Sequence, residues 1–368
     1  MFFRSKKRPL RAVQIEVTSR CTRRCAICPR SVLRDRWLDH DMGDEVWEKI
    51  KPAFSLAGHV HLQGWGEPLL HASLPKMTRD AKASGANVGI TTNGDLLDSA
   101  IDWILRESVD LLTLSVAGSA GAHARLRDGS NIEKVMSHME KLTARAKESK
   151  SRIKVQVSYL LTKDNAGKLP LAVELAAMAH ADEFFVTHLD VTPSKELIEN
   201  CAFDEKGLLP GVKEFIYKAK MTAKQRRIKF RAPSVKPEET LACALNPVRF
   251  IYVTADGRVG PCVNLLFPVR GKISRWTFGG ASEVEQLCYG DLRDGNFNEI
   301  LESEKRRAFI VPFIRRLNAE SRFLKDFGET SGTKALREID RFDRRRSETL
   351  EENPFPAQCR GCHKIMGW

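Results

Sequence analysis

Residues 21–28 read Cys21-Thr22-Arg23-Arg24-Cys25-Ala26-Ile27-Cys28, three cysteines spaced CxxxCxxC within one short loop. Thiolates are the usual ligands of iron–sulfur clusters, and a cubane has four irons to satisfy. Three closely spaced cysteines can hold three of those irons and leave the fourth open to an exchangeable ligand. The apolar stretch just before the loop, Ala12-Val13-Gln14-Ile15-Glu16-Val17, reads as a strand. The spacing also arises by chance in cysteine-rich chains, so its weight depends on corroboration from the rest of the chain.

Composition narrows the setting. The 368 residues suffice for one large domain and a smaller one. Contents of 42% hydrophobic and 29% charged residues are those of a soluble globular protein. No apolar run reaches the ~20 residues needed to span a bilayer. Met1–Pro9 places its charges after its apolar residues and lacks a hydrophobic core segment, so it is no secretory signal, and a cytoplasmic protein is expected. Nine cysteines are many for that compartment, where stable disulfides are disfavoured, and an odd number argues against a purely disulfide framework.

The net charge of +13 is unevenly spread. Seven basic residues and no acidic one lie between Lys218 and Arg231, a run that reads as a solvated basic surface. Arg20, Arg23, Arg24, Arg30 and Arg34 surround the cysteine loop with no acid between them. That cluster suits an anionic substrate or an acidic electron-transfer protein of the flavodoxin or ferredoxin type. No RNA- or DNA-binding motif accompanies the charge, so nucleic acid is a poor fit.

Along the chain, short apolar runs alternate with amphipathic stretches. Strands are expected at Ala12–Val17, Val60–Leu62, Val88–Thr91, Leu112–Val116, Ile153–Leu161 and Phe184–Leu189. Helices are expected at Glu45–Phe54, Leu74–Ser84, Leu97–Arg106, Ile132–Lys147 and Leu169–Met178. This alternation predicts a parallel sheet of βαβ units, without separating an open sheet from a barrel. Pro233–Pro237 reads as a boundary, giving a basic tail at 1–10, a core at 11–235 and a smaller domain at 236–368. Phe250–Val259 reads as a β-hairpin around Asp256-Gly257, and the charged segment Glu302–Glu352 as helical.

Three further segments fall at successive strand ends. Gly64-Trp65-Gly66-Glu67-Pro68 comes after the second strand, where glycines let backbone approach a ligand, although a plain Gly-Glu-Pro turn reads the same way. Thr91-Thr92-Asn93-Gly94 ends the third strand, where Asn-Gly is equally a turn. Ser115-Val116-Ala117-Gly118 ends the fourth, with Arg125 and Arg127 downstream. In this order, behind the cysteine loop, they resemble the radical S-adenosylmethionine (SAM) superfamily. Gly64–Pro68 is similar to the family's GGEP motif, with Trp65 set between its glycines.

The resemblance implies a partial (β/α)6 TIM-like barrel with SAM at its open mouth. It implies Cys21, Cys25 and Cys28 as ligands of a 4Fe–4S cluster whose open iron chelates SAM. It further implies Gly64, Trp65, Gly66, Glu67, Asn93, Ser115 and Arg127 around SAM, with Trp65 acting through its backbone. An Asp common two residues after the family's Ser is here Ala117, so any role tied to it is absent. Asn165, His188, His59 and His61 read as structural polar groups.

A second cysteine set lies beyond the boundary: Cys243, Cys262 on the hairpin, and Cys359-Arg360-Gly361-Cys362. With Gly290-Asp291-Leu292 leading to Phe297–Leu301, it resembles the SPASM/Twitch extension of radical SAM enzymes. That implies an α+β domain with one auxiliary 4Fe–4S cluster on four thiolates; a structural zinc is the competitor, since CxxC is equally a zinc spacing. Cys201 and Cys288 read first as small buried residues. Cys201, just beyond the sixth strand, is also a candidate hydrogen-atom donor at the barrel mouth.

The expected activity is reductive cleavage of SAM and hydrogen-atom abstraction from an organic substrate, in an oxidation or dehydrogenation of a small molecule. The alternative is a maturase acting on a ribosomally made peptide, against which counts the short stretch before the first strand. A non-catalytic iron–sulfur carrier or nucleic-acid-binding protein is the third reading.

Overall fold

The computed structural model describes residues 8–327 and 344–367. Six strands, β1 (Leu10–Ile15), β2 (Ala57–Leu62), β3 (Asn87–Thr92), β4 (Leu111–Val116), β5 (Lys154–Leu161) and β6 (Glu183–His188), pair in sequence order, all parallel. Helices lie between them. Two of these, Leu97–Arg106 and Leu169–Met178, keep the expected bounds, and Ile132–Glu148 starts at the Asn131 cap, whose Oδ1 accepts the Lys134 N–H at 2.7 Å. The expected helix Glu45–Phe54 is instead two, Asp44–Ile50 and Pro52–Leu56, because Pro52 has no N–H to continue the ladder.

Alternation along the strands separates two faces. Val60, Leu62, Val88, Ile90, Leu112, Leu114, Val155, Val157 and Phe184 lie in the main apolar core, each at most 2% exposed. Between them, Thr91, Ser115, Ser158 and Thr187 from adjacent strands line one cleft at the carboxyl ends. A barrel of this kind places its chemistry at that end.

The sheet does not close on itself. A short β7 (Lys229–Arg231) pairs parallel with β6, and β8 (Phe250–Val253) pairs parallel with β1. The expected hairpin forms from β8 and β9 (Arg258–Gly260) around Asp256-Gly257, and β10 (Gly290–Asp291) pairs antiparallel with β9. One ten-stranded sheet results, in the order β10-β9-β8-β1-β2-β3-β4-β5-β6-β7. A fold of α/β class, a partial TIM-like barrel, thus carries the C-terminal part on its β1 edge.

All seven basic residues of the Lys218–Arg231 run are exposed, as expected of a solvated surface. The run forms the end of the helix Val212–Arg226 and then β7, where Lys229 and Arg231 both pair with the buried Glu183. In the C-terminal part, Ile273–Thr277 and Gly280–Val284 make a separate hairpin. The charged segment is helical over Glu304–Phe327 and 344–352, while 328–343 lies outside the described residues. Arg316 on that first helix is fully buried. It donates to the carbonyls of Thr240, Leu350 and Asn353, pairs with Glu239 at 2.8 Å and lies 3.8 Å over the Phe355 ring, fixing the C-terminal tail. No described helix is long and apolar enough to cross a membrane.

Candidate active site and auxiliary cysteine site

The loop after β1 carries Cys21 and Cys25, and Cys28 caps the short helix Pro29–Val32, its N–H bonded to the Cys25 carbonyl at 3.1 Å. All three thiols line one cleft, together with Gly64, Trp65, Gly66, Glu67, Asn93, Ser115 and Arg127. The fold therefore brings together every residue that the family resemblance set around SAM. Cys201 is not among them. It is buried in the main core, its thiol donates to the Leu197 carbonyl at 3.6 Å, and burial pushes its pKa up to about 12. A hydrogen-atom donor needs to reach the cleft, and this position does not.

The two glycines are required by contact, not only by turning. A Cβ on Gly64 would sit 2.3 Å from the Glu16 side chain, and one on Gly66 would sit 2.2 Å from the Thr18 carbonyl oxygen. The loop is thereby laid flat on the cysteine loop, and the Glu67 N–H donates to the Arg20 carbonyl at 2.8 Å. Trp65 fits between the glycines because its ring turns away. It stacks on Phe267 with centroids 4.8 Å apart, and its indole N–H donates to the Val263 carbonyl at 3.2 Å.

Glu67 is 2% exposed, and its carboxylate accepts from the Thr92 hydroxyl (2.8 Å), the Asn93 N–H (2.7 Å) and the Leu69 N–H (3.1 Å). Its oxygens tie the Gly64–Pro68 segment to the Thr91–Gly94 turn. Burial outweighs these donors and pushes its pKa up to about 7. Two buried donors in the cleft have no partner among the described residues: Asn93 Nδ2 and Arg127 Nε. An unmade bond on such a donor costs about 1–3 kcal/mol unless a bound ligand accepts it.

Several functional neighbours carry no sequence motif. Glu16 reads as part of an apolar strand, yet its buried carboxylate accepts from Trp65 N–H (2.7 Å), the Tyr252 hydroxyl (3.1 Å) and Ala255 N–H (3.4 Å). It knots β1, the Gly64–Pro68 segment and the hairpin of β8 and β9. Gln63, Ser158, Leu160 and Thr187 also line the cleft. Acids just beyond the loop and one far along the chain meet its arginines: Arg20–Asp41 at 2.5 Å and Arg30–Asp39 at 3.1 Å, and Arg23–Asp95 at 2.5 Å. The local positive charge is thus largely balanced inside the molecule. Asn165 and His61 take structural bonds, Asn165 Oδ1 to Thr162 N–H (2.8 Å) and His61 Nε2 with Thr91 Oγ1 (2.9 Å).

Glu16 has a pH consequence. Burial lifts its pKa from the usual carboxylate range to about 7, so the native chain binds a proton there that the unfolded chain releases above about 4.5. Its contribution is greatest below that lower value and is lost as pH rises through 7. In anaerobic urea unfolding, Glu16→Gln should gain on the parent as pH goes from 5 to 8. A difference that stays flat with pH would mean the carboxyl ionises normally in the native state.

The second cysteine set also assembles. Cys243 lies before β8, Cys262 comes just after β9, and Cys359 and Cys362 lie on the C-terminal tail, yet each of the four thiols is within electrostatic reach of others in the set. Burial pushes all four thiols up. Cys288 stands apart, its thiol donating to the Gly290 carbonyl at 3.1 Å. Among the described residues no three His, Cys, Asp or Glu side chains converge on a single-ion point, and a cubane does not ask them to, since each thiolate takes its own corner iron.

Comparison with known proteins agrees with this geometry. The Radical SAM superfamily profile matches residues 15–166, and the SPASM iron-sulfur cluster-binding domain profile matches 243–323. The tungsten-containing aldehyde ferredoxin oxidoreductase cofactor-modifying protein of Pyrococcus furiosus is 24% identical over 305 residues, covering 80% of this chain and 82% of that protein. Among solved structures, native anSMEcpe with bound AdoMet has a TM-score of 0.59 at 17% identity, covering 82% of this chain and 83% of that one. Streptococcus suis SuiB bound to precursor peptide SuiA has a TM-score of 0.52 at 14% identity, covering 70% of this chain and 60% of that one.

The chain carries a radical SAM domain over residues 15–166. More particularly, it is a radical SAM enzyme whose C-terminal part is a SPASM-type auxiliary iron–sulfur domain. Its cofactors are a 4Fe–4S cluster with SAM and an auxiliary iron–sulfur cluster. The residues present fit them: three thiols facing a cleft floored by close-packed backbone, two orphaned buried donors beside it, and a separate four-thiol set.

Proposed function

We propose that this enzyme cleaves SAM reductively and abstracts a hydrogen atom from a small polar organic substrate, completing a two-electron oxidation. The observation that carries the reading is the convergence of the three loop thiols with the orphaned Asn93 and Arg127 donors in one cleft. Bound there, the cluster and SAM supply sulfonium cleavage and hydrogen abstraction, and the auxiliary cluster supplies an electron acceptor.

The remaining tasks fall to the chain. Cys21, Cys25 and Cys28 hold the first cluster, and Cys243, Cys262, Cys359 and Cys362 hold the second. Backbone at Gly64, Trp65 and Gly66 lies along SAM, Asn93 Nδ2 and Arg127 Nε donate to its polar ends, and Ser115 lines its seat. Glu67 positions the Asn93 turn. Ser158 and Thr187, which also line the cleft, face the substrate. In this division residues 11–235 are the SAM-cleaving core and 236–368 the auxiliary-cluster part, with an acidic flavodoxin- or ferredoxin-type protein as electron donor. A peptide substrate is the second reading, supported by the fold likeness to SuiB bound to its precursor peptide.

The test is anaerobic reconstitution followed by SAM and a chemical reductant. 5′-Deoxyadenosine and methionine are expected, with about eight irons per chain for two cubanes. Absence of both products would end the enzymatic reading, and about four irons plus one zinc would replace the auxiliary cluster with a structural ion.

A further inference from the structure

The four-thiol site has two polar neighbours that the ligand set does not explain. Arg275, on the Ile273–Thr277 strand, is only 6% exposed. Its Nη1 donates to the carbonyls of Gln358 (2.8 Å) and Arg360 (3.0 Å), so it grips the chain on both sides of Cys359. No carboxylate pairs with it among the described residues. Its charge acts instead on the thiols of Cys262, Cys359 and Cys362. The other cation of the site, Lys364, is balanced, lying 2.9 Å from Asp190.

Tyr289 is the second neighbour. It is 4% exposed, and its hydroxyl has no hydrogen-bond partner among the described residues. The segment carrying it runs beside the Cys262 segment: Tyr289 N–H donates to the Val259 carbonyl at 2.7 Å, and Leu287 N–H to the Leu265 carbonyl at 2.9 Å. Its hydroxyl is electrostatically coupled to Cys262, Arg306 and Cys359. Packing of its ring on Phe309, with centroids 6.2 Å apart, holds the hydroxyl in place. A buried cation without a counter-ion and a buried hydroxyl without an acceptor are each costly alone. Both become favourable beside a group of net negative charge.

We infer that Arg275 and Tyr289 are donors to the auxiliary cluster that raise its reduction potential and so favour its uptake of one electron. The inference rests on the auxiliary-cluster assignment made above. Four thiolates around a cubane leave it anionic, and the reduced state adds one further negative charge. A fixed cation and a hydroxyl dipole at the sulfurs stabilise the reduced state more than the oxidised one, which is how hydrogen bonds and local charge set cluster potentials.

The experiment uses the full chain with Cys21, Cys25 and Cys28 all replaced by Ala, so that only the auxiliary cluster titrates. Tyr289→Phe and Arg275→Gln are added singly, and iron, zinc and the midpoint potential are measured anaerobically. Each substitution should shift the oxidised-to-reduced ratio at fixed potential about tenfold towards oxidised, about 59 mV for a one-electron couple. Tyr289→Phe removes one oxygen from a packed ring, so it reports even where Arg275→Gln fails to fold. Unchanged potential in a Tyr289→Phe protein holding about four irons overturns the inference while sparing the cluster assignment. A parent that holds zinc and shows no redox titration overturns both.

Discussion

Cys21→Ala, Cys25→Ala and Cys28→Ala each abolish 5′-deoxyadenosine formation, and each lowers iron from about eight to about four per chain. A three-ligand cluster has no spare thiolate, and the other cysteines cannot substitute. Cys201 is sealed in the core, Cys288 is turned to the Gly290 carbonyl, and the remaining four belong to the second set. The thiols lie at a cleft surface, so their loss leaves the fold intact and far-ultraviolet circular dichroism unchanged. Activity falls by at least about a thousandfold, because no uncatalysed route cleaves the sulfonium at a comparable rate. A variant that keeps all its iron and still forms 5′-deoxyadenosine would remove that cysteine from the ligand set.

Gly66→Ala produces a different defect: near-complete retention of iron with SAM affinity reduced by about a hundredfold. The added methyl would lie 2.2 Å from the Thr18 carbonyl oxygen and 2.6 Å from that of Arg20. Neither oxygen can step aside, because the neighbouring chain is pinned by the Thr18 hydroxyl on Asp41 (2.6 Å) and the Ser19 hydroxyl on the Leu38 carbonyl (2.8 Å). The Gly64–Pro68 loop must lift instead, and losing two ligand hydrogen bonds at about 1.4 kcal/mol each is worth about two orders of magnitude in affinity. Equilibrium binding of SAM to the reconstituted protein measures it. Gly43→Ala is the control, since no atom lies within 4 Å of its added methyl. Equal affinity in the two variants would show that the loop tolerates displacement.

Much of this is legible locally. Strand and helix alternation, the CxxxCxxC loop and the segments at the ends of β2, β3 and β4 are short-range patterns, and each falls where its period and spacing put it. The hidden part depends on partners far along the chain. Glu16 reads as a polar interruption of a strand, and only the arrival of Trp65, Tyr252 and Ala255 makes it a junction. The arginine cluster reads as bare charge because its acids lie outside residues 20–34: Asp39 and Asp41 fold back from just beyond it, and Asp95 comes from far along the chain. A strand-end position suggests that Cys201 reaches the barrel mouth, whereas its burial comes from Thr162 and Leu197 closing over it. Arg275 and Tyr289 carry no motif, and their interest lies only in their surroundings.

The pairing of β8 with β1 bears on how such enzymes can diverge. Four residue pairs, Ala12 with Phe250 through Ile15 with Val253, seam the auxiliary part to the strand that launches the cysteine loop. Glu16, one residue beyond that seam, is then bonded from both sides. A new C-terminal half, brought in by recombination or by protein engineering, must therefore supply a strand in register with β1 and donors for Glu16. Inheritance of the two halves is coupled, and change in substrate is easier by point substitution at the cleft than by exchange of parts.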